Sequence, residues 1–76
     1  MEKEETQAIV KLFGERLRGL LDERGVSNEE FAKVVGVSAR LIKKWCEGSS
    51  QPRVNKLILI AKYFHVRADF LFGLAE

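Results

Sequence analysis

The chain has almost none of the residues that cross-link a small protein through disulfides or metals. Its 76 residues include one cysteine, Cys46, and one histidine, so neither an internal disulfide nor a cysteine–histidine zinc site can form. The longest apolar run, Leu57 to Ala61, is far shorter than the roughly 20 residues that span a membrane, and no secretory signal opens the chain. We therefore expect a soluble, cytoplasmic protein with no metal, no cofactor, no membrane partner and no small-molecule ligand.

The residue sets that catalysis requires are also missing from the sequence. No nucleophile stands with a base, no set of metal ligands occurs, and no glycine-rich phosphate loop is present. The adjacent acids Glu29 and Glu30 are better explained by helix capping than by acid/base catalysis. We predict that the chain is not an enzyme, which leaves binding as its function.

Charge is distributed unevenly along the chain. The first 32 residues carry five Lys or Arg and eight Asp or Glu, whereas residues 33–76 carry eight and three. The net charge is only +2, yet the second half is strongly cationic. This asymmetry predicts a positive surface that can meet a polyanion.

Apolar spacing predicts a first helix that ends at Gly25, a residue suited to a left-handed helix cap. Its apolar face recurs at steps of three and four: Ile9, Phe13, Leu17, Leu20 and Leu21. Residues 1–8 have no apolar stripe, so we expect them to be flexible or to extend the first helix loosely. Residues 9–76 are predicted to form one domain.

Two short helices follow, and a serine is the predicted N-cap residue of each. Ser27 and Glu30 have the spacing of a capping box, in which each side chain bonds the backbone N–H of the other residue. Ser38 begins the third helix, about 39–46, and only Gly36, Val37 and Ser38 separate it from the second. Helices joined so tightly are expected to cross steeply, as in a helix-turn-helix. The second helix is expected to bury Phe31, Ala32 and Val35.

The remainder of the chain predicts two more helices after a polar loop. The fourth is expected to end at His65 and to bury Val54, Leu57, Ile58, Ala61 and Phe64. The fifth is expected over Val66 to Leu74 and contributes Phe70 and Leu71 to the core. The predicted fold class is therefore all-α, with five short helices around one core.

The third helix has two chemically different sides. Ala39, Arg40, Lys43, Lys44 and Glu47 project to one side, and Ile42, Trp45 and Cys46 project to the other. The first side carries three cations and one acid, so we expect it not to neutralise its own charge. A solvated charged surface is one reading of this pattern. The tight turn before the helix favours another, because that arrangement presents a helix to the major groove of DNA.

The outer side of the third helix matches what the major groove offers. Arg40 or Lys44 can donate to guanine O6 and N7, and thymine methyl groups can pack against Ala39 or Leu41. The N-termini of the second and third helices, at Ser27-Asn28 and Ser38-Ala39, have free backbone N–H groups. These groups can bind the anionic oxygens of phosphates.

An ordered set of short motifs carries a family resemblance over Phe13 to Gly73. The set comprises "GVS" before the second helix, "FA..VGVS" from the second helix through the turn, "W" three residues before "G", a loop "P" and a final "LFG". The chain thus resembles the phage-repressor-type (Cro/CI-like, XRE) helix-turn-helix DNA-binding domain, a lambda-repressor-like fold. The resemblance implies sequence-specific binding of double-stranded DNA by residues 9–76 and a transcriptional repressor that acts as a homodimer.

The resemblance also assigns roles to individual positions. The family's base-reading positions match Ser38, Ala39, Arg40, Lys43 and Lys44. Phosphate contact is implied for the start of the second helix, for the loop, and for the cation after the loop proline. The corresponding residues are Ser27, Asn28, Ser49, Ser50 and Arg53.

The C-terminal aromatic residues suggest where two copies meet. Phe70, Phe72 and Leu74 exceed what one short helix can bury, so we expect an apolar patch there to form a dimer interface.

A rival function stays open: a protein-interaction module on the same fold, such as an antitoxin-like or regulatory subunit. Glu47 and the modest net charge favour that rival. DNA binding would depend steeply on salt, whereas a pure interaction module would show no such dependence.

Overall fold

Five helices follow one another in a computed structural model that describes the backbone of residues 3–74 and the side chains of residues 5–74. They are α1 (Lys3–Arg24), α2 (Asn28–Val35), α3 (Ala39–Glu47), α4 (Val54–Phe64) and α5 (Ala68–Leu71). No strand occurs within this range, so the predicted all-α class with five helices is confirmed. None of the helices described is long and apolar enough to cross a membrane.

The first helix is longer than the apolar pattern indicates. It spans 22 residues and begins at Lys3, not near Ile9, so residues 3–8 extend α1. Glu, Gln and Ala in this segment favour helix without needing an apolar stripe. Met1 and Glu2 lie outside the described residues, and the flexibility of residues 1–8 stays a prediction. The predicted end at Gly25 is confirmed, with φ of 65° and a bond from the next N–H, that of Val26, to the carbonyl of Leu21.

One apolar core collects side chains from all five helices. The aromatic rings of Phe31 and Phe64 lie at its centre with centroids 5.3 Å apart, and Tyr63 packs beside both. The expected burial of Phe31, Ala32 and Val35 by α2 is confirmed. The buried residues are Phe13, Leu17, Leu20, Leu21, Phe31, Ala32, Val35, Ile42, Trp45, Ile60, Phe64 and Leu71.

Helices α1 and α3 approach each other so closely that their backbones touch. A Cβ atom at Gly14 would overlap the carbonyl oxygen of Trp45 and lie 2.7 Å from that of Cys46. Glycine is therefore required at this position because a Cβ atom does not fit, not because of the backbone conformation. The contact fixes α3 directly on the backbone of α1.

The predicted buried face of α4 is wrong at two of its five positions. Val54 is 72% exposed and Ile58 is 50% exposed, whereas Ile60 is fully buried. Leu57 and Ala61 are half-buried against the core and Phe64 is buried, as expected. Apolar residues surround most of this helix, so their spacing cannot tell which side faces the core. Packing against α2 and α5 decides that side.

The fifth helix is shorter than the predicted range of 66–74. It ends at Leu71 because Gly73 adopts the left-handed conformation and the Leu74 N–H bonds back to the Asp69 carbonyl. Leu71 is fully buried and Phe70 packs against the core, as predicted.

Candidate nucleic-acid interface

The connection between α2 and α3 is a three-residue turn. Gly36 has φ of 74° and its N–H bonds the Ala32 carbonyl, which ends α2, while the Ser38 hydroxyl accepts from the Leu41 N–H and begins α3. The ammonium group of Lys56 on α4 donates to the Val35 carbonyl at 2.7 Å. The turn is therefore closed by its own residues and tied to α4.

Helix α3 presents the two faces that its sequence predicts. Ile42 and Trp45 are buried, while Arg40, Lys43 and Lys44 are exposed. Ala39 is half-buried against the core, so its methyl group lies at the edge of the exposed face. The outer face of α3 can thus meet a flat or grooved partner without disturbing the core.

The expectation that this face does not neutralise its own charge is wrong for one residue. The Lys43 ammonium lies 4.0 Å from the Glu47 carboxylate, one helical turn along the same face. Both side chains are more than half exposed, so the pair is weak and screened by salt. Within residues 5–74, the side chains of Arg40 and Lys44 make no hydrogen bond or ion pair. These two cations are available to an external anion.

At the start of α2, the side chain of Ser27 is engaged in the predicted capping box. Its hydroxyl accepts from the Glu30 N–H and its own N–H donates to the Glu30 carboxylate, each at 3.1 Å. These bonds hold the pKa of Glu30 below its ordinary value of 4.5, with the Ser27 backbone donor as the largest cause. The hydroxyl hydrogen of Ser27 is all that its side chain can still donate.

Asn28, the first residue of α2, is half-buried and bonded to α1. Its side-chain oxygen accepts from the Arg18 guanidinium at 3.2 Å. The backbone N–H groups of Asn28 and Glu29 have no acceptor within the described residues, because they precede the first intrahelical bond. This helix start therefore offers free donors, as the sequence predicts.

The loop residues predicted to contact phosphate line two clefts that share Ser50. Ser50 and Arg53 line the same cleft as Leu41 of α3. The Ser49 hydroxyl donates to the Lys44 carbonyl at 3.3 Å, and Ser49 and Ser50 together line a second cleft beside Thr6 and Gln7 of α1. Only Ser50 and Arg53 thus lie beside the third helix with unused side-chain donors.

The three residues predicted to form a dimer interface differ in exposure. Phe72 packs on Phe13 with ring centroids 6.0 Å apart, and Phe70 lies under the Arg16 guanidinium at 4.4 Å. Both are half-buried, so the domain covers more of this group than expected. Leu74 remains 77% exposed. Phe13 and Arg16 of α1 supply the partners that the sequence pattern did not indicate.

The single cysteine has the character of an apolar side chain. Burial raises the pKa of the Cys46 thiol above its ordinary value of 9.0, although the nearby Arg18 charge acts in the opposite direction. The thiol is therefore protonated at neutral pH, and the side chain packs against the core. No group of three or more His, Cys, Asp or Glu side chains that could hold a metal occurs among the described residues.

Two features of this surface were not predicted from the sequence. One is Arg18, whose bond to Asn28 joins residues ten apart on different helices and so follows no local spacing rule. The other is the exposed apolar pair Val54 and Ile58 on α4. Their step of four is visible in the sequence, but it indicates an apolar stripe without saying what covers it.

Comparison with known families gives a match over most of the chain. Residues 17–71 match the helix-turn-helix family. This range covers α2, the turn, α3, α4 and α5, together with the last two turns of α1. The resemblance indicated by the sequence motifs is thereby confirmed.

Two curated proteins similar to this chain are transcription regulators. The HTH-type transcriptional activator BcrR of Enterococcus faecalis is 33% identical over 61 residues, which are 80% of this chain and 30% of that protein. The uncharacterized HTH-type transcriptional regulator YobD of Bacillus subtilis is 25% identical over 65 residues, 86% of this chain and 58% of that protein. The chain therefore spans less than two thirds of the length of either relative.

Solved structures of two regulators have a similar fold. A transcriptional regulator from Listeria innocua superposes with a TM-score of 0.80 at 34% identity, over 84% of this chain and 60% of that one. The SOS-response transcriptional repressor LexA from Eubacterium rectale gives a TM-score of 0.78 at 32% identity, over 95% and 73%. The five-helix arrangement is thus one that transcription regulators use.

Proposed function

This chain belongs to the helix-turn-helix family, and on that premise we propose that it binds a specific double-stranded DNA sequence and regulates transcription. In this proposal α2 lies across the DNA backbone while α3 enters the major groove. The observation that carries the proposal is the outer face of α3, where Arg40 and Lys44 are exposed and have no partner within the described residues. The family points to a regulator, not to an enzyme.

In this proposal the first two turns of α3 recognise the bases. Arg40 lies near the N-terminus of α3, where a guanidinium can bond guanine O6 and N7 together. Lys44 lies one turn further along the same face and can reach a neighbouring base. Ala39 is small and half-buried, so a thymine methyl group can approach it closely. Lys43 carries the Glu47 contact, which favours a phosphate or solvent role for it.

Phosphate contacts would fix the orientation of α3 in the groove. The free N–H groups at the start of α2 and the side chain of Asn28 can donate to a phosphate of one DNA strand. Ser50 and Arg53 lie in the cleft beside Leu41 and suit a phosphate on the other side of the helix. Phosphate binding of this kind carries no sequence preference and falls as salt rises.

A homodimer would place two copies of α3 about 34 Å apart, one turn of DNA. Leu74 supports this interface because it is 77% exposed, and the neighbouring Phe72 is partly covered. The exposed Val54 shares a cleft with Phe72, which extends the apolar surface onto α4. Light scattering of the free protein and of its DNA complex checks this: a monomer in both at high concentration would rule the dimer out.

The direction of regulation and the rival function are separate questions. The relatives include an activator and a repressor, so repression by this chain stays a prediction. Protein binding as the main function is favoured by the Lys43–Glu47 pair and by the exposed apolar residues of α4. That rival predicts tight binding to a protein with little dependence on salt.

The test begins by selecting a binding site from a random duplex library and then compares variants on specific and random DNA. Arg40→Ala should weaken specific binding by about 1–3 kcal/mol and relax the base preference at one position of each half-site. Arg53→Ala should weaken binding to both duplexes and lower the salt slope by roughly one unit per contact. Lys62→Ala removes an exposed cation of α4 outside the proposed surface and serves as the control.

The decisive outcome concerns Arg40. If Arg40→Ala binds both duplexes as tightly as the parent protein, α3 does not read the bases. The charged face would then be a solvated surface, and the protein-interaction function would replace the proposed one.

A further inference from the structure

The guanidinium of Arg18 joins two helices at the edge of the proposed phosphate surface. One of its terminal nitrogens donates to the Asn28 side-chain oxygen at 3.2 Å, and the other lies 3.2 Å from the Asp22 carboxylate one turn further along α1. The Arg18 side chain is 39% exposed and Asn28 is half-buried. Arg18 is thus held by its own helix while it holds the first residue of α2.

This contact settles which way the Asn28 amide points. Every polar hydrogen-bonding group of a guanidinium is a donor, so the amide atom that faces Arg18 must be the oxygen. The Nδ2 group of Asn28 then lies at the opposite end of the amide, and it donates to no acceptor within the described residues. Beside it are the free backbone N–H groups of Asn28 and Glu29.

We propose that Arg18 is a positioning residue, which holds the Asn28 amide with its Nδ2 group outward so that this group donates to a DNA phosphate. The inference rests on the proposed DNA-binding function and deepens it, because it names the residue on which the α2 phosphate contact depends. Without Arg18 the amide is free to turn its oxygen outward. The amide oxygen and the phosphate oxygen are both hydrogen-bond acceptors, so no hydrogen bond would form and the contact would be lost.

A direct attraction between the Arg18 charge and the phosphate is the competing explanation. The two explanations differ in salt dependence, because only a cation that contacts phosphate releases a counterion from the DNA. They also differ in coupling. A positioning residue has little effect once Asn28 is gone, whereas a residue that acts by its own charge keeps its effect.

The experiment is a double-mutant cycle of Arg18→Met and Asn28→Ala, measured as binding to the selected duplex over a salt series. Each single variant is expected to bind about tenfold more weakly, since one hydrogen bond to a charged group is lost in both. The double variant should bind no more than about twofold more weakly than Asn28→Ala alone. The salt slope of Arg18→Met should equal that of the parent protein.

Arg24→Met is the matched control. Arg24 also lies on α1 and also donates across to another helix, but its acceptor is the Phe64 carbonyl at 3.0 Å, in the core of the C-terminal half. This variant removes the same charge and a similar bond, and it should change DNA affinity by less than about twofold. Thermal unfolding of every variant identifies any loss of affinity that follows from unfolding.

One further variant and one spectroscopic measurement test the amide itself. Asn28→Asp keeps an acceptor for Arg18 but has no Nδ2 donor, so its DNA affinity should fall at least as far as that of Asn28→Ala. In free protein, the Asn28 side-chain NH₂ signals in a ¹H–¹⁵N spectrum should move in Arg18→Met and stay in place in Arg24→Met. Unmoved signals in Arg18→Met would overturn the proposal without any DNA measurement.

The binding outcomes separate this inference from the function on which it rests. Additive losses in the cycle, or a salt slope lowered by about one unit in Arg18→Met, would show that Arg18 acts by its own charge and would overturn only the positioning role. A parent protein that binds no selected duplex would overturn both. Equal affinity of parent and Asn28→Ala would remove the phosphate contact at α2 while leaving DNA binding in place.

Discussion

Helices α2 and α3 are stabilised differently from helices α4 and α5. Each of the first two begins at a serine whose hydroxyl accepts a backbone N–H of the same helix, and each ends at a glycine in the left-handed conformation. The serines are Ser27 and Ser38, and the glycines are Gly36 and Gly48. The bonds that define these two helices therefore come from residues within their own short segments.

The other two helices lack a side-chain cap at their start. Arg53 precedes α4 and Arg67 precedes α5, and neither residue makes a side-chain cap. α4 ends at His65, which adopts φ of 57° without being glycine. Long-range donors from α1 compensate: Arg24 bonds the Phe64 carbonyl, and Arg16 bonds the Phe70 carbonyl at 2.8 Å.

The difference has a consequence for the proposed DNA surface. Because α2 and α3 are capped by local bonds, cations such as Arg40 and Lys44 need not contribute to folding and stay free for a partner. The arginines that stabilise α4 and α5 have no such freedom. Four tests bear on this contrast, from the largest expected effect to the smallest.

Gly14→Ala should be the most damaging, because the added Cβ meets the backbone of α3 and not a movable side chain. We expect a loss of about 3 kcal/mol in the free energy of unfolding. Gly19→Ala, in the same helix with open space around its Cβ, should instead gain about 0.5–1 kcal/mol. Chemical denaturation of both variants measures the difference. Equal stabilities would mean that the two backbones do not touch.

Ser38→Ala and Arg53→Ser should change stability in opposite directions. The first removes the α3 cap and should cost about 1 kcal/mol, while the second adds a cap that α4 lacks and should gain about 1 kcal/mol. Urea unfolding curves of the two variants check the signs. A loss of stability in Arg53→Ser would show that Arg53 already stabilises the start of α4.

His65→Gly should raise the free energy of unfolding by about 0.5–1 kcal/mol, because glycine adopts a positive φ without the strain that a Cβ causes. His65→Ala should lower it, since alanine keeps the Cβ and tolerates this conformation less well than histidine. The Ala variant is the control for loss of the imidazole ring. If both variants are destabilised equally, the ring itself stabilises the end of α4.

The smallest effect should be a pH dependence at the α2 cap. The pKa of Glu30 is lowered in the folded protein, chiefly by the Ser27 backbone donor, so its contribution is present above the ordinary value of 4.5. That contribution is lost as the pH falls through the lowered pKa. Thermal unfolding between pH 7 and pH 3 should show a shallower loss on acidification for Glu30→Gln than for the parent protein. Identical curves would exclude a role for this carboxylate.

The same contrast explains how much the sequence alone could predict. The caps at Ser27 and Ser38 and the turn at Gly36 are encoded by neighbouring residues, and all three were predicted and are confirmed. The outer face of α3 followed from helical spacing once those ends were known. Family resemblance supplied roles for the remaining positions, and those roles remain predictions.

The failures lie where distant parts of the chain decide the structure. Val54 and Ile58 were expected to be buried, but tertiary packing turned α4 so that Ile60 took the core position. The bond between Arg18 and Asn28 joins two helices across a turn, and no spacing rule encodes it. The contact between Lys43 and Glu47 is the exception, because their step of four along one helix is visible in the sequence.

The backbone contact at Gly14 also bears on how such a protein can acquire a new target. Because α3 is seated on α1 through main-chain atoms and buried side chains, its position does not depend on residues 40, 43 and 44. Those positions can change by mutation at little cost to the fold, since surface substitutions usually alter stability by less than about 0.5 kcal/mol. A substitution at Gly14 would disturb that contact, whereas evolution or a designer could change the proposed DNA preference at residues 40, 43 and 44 while the scaffold stays the same.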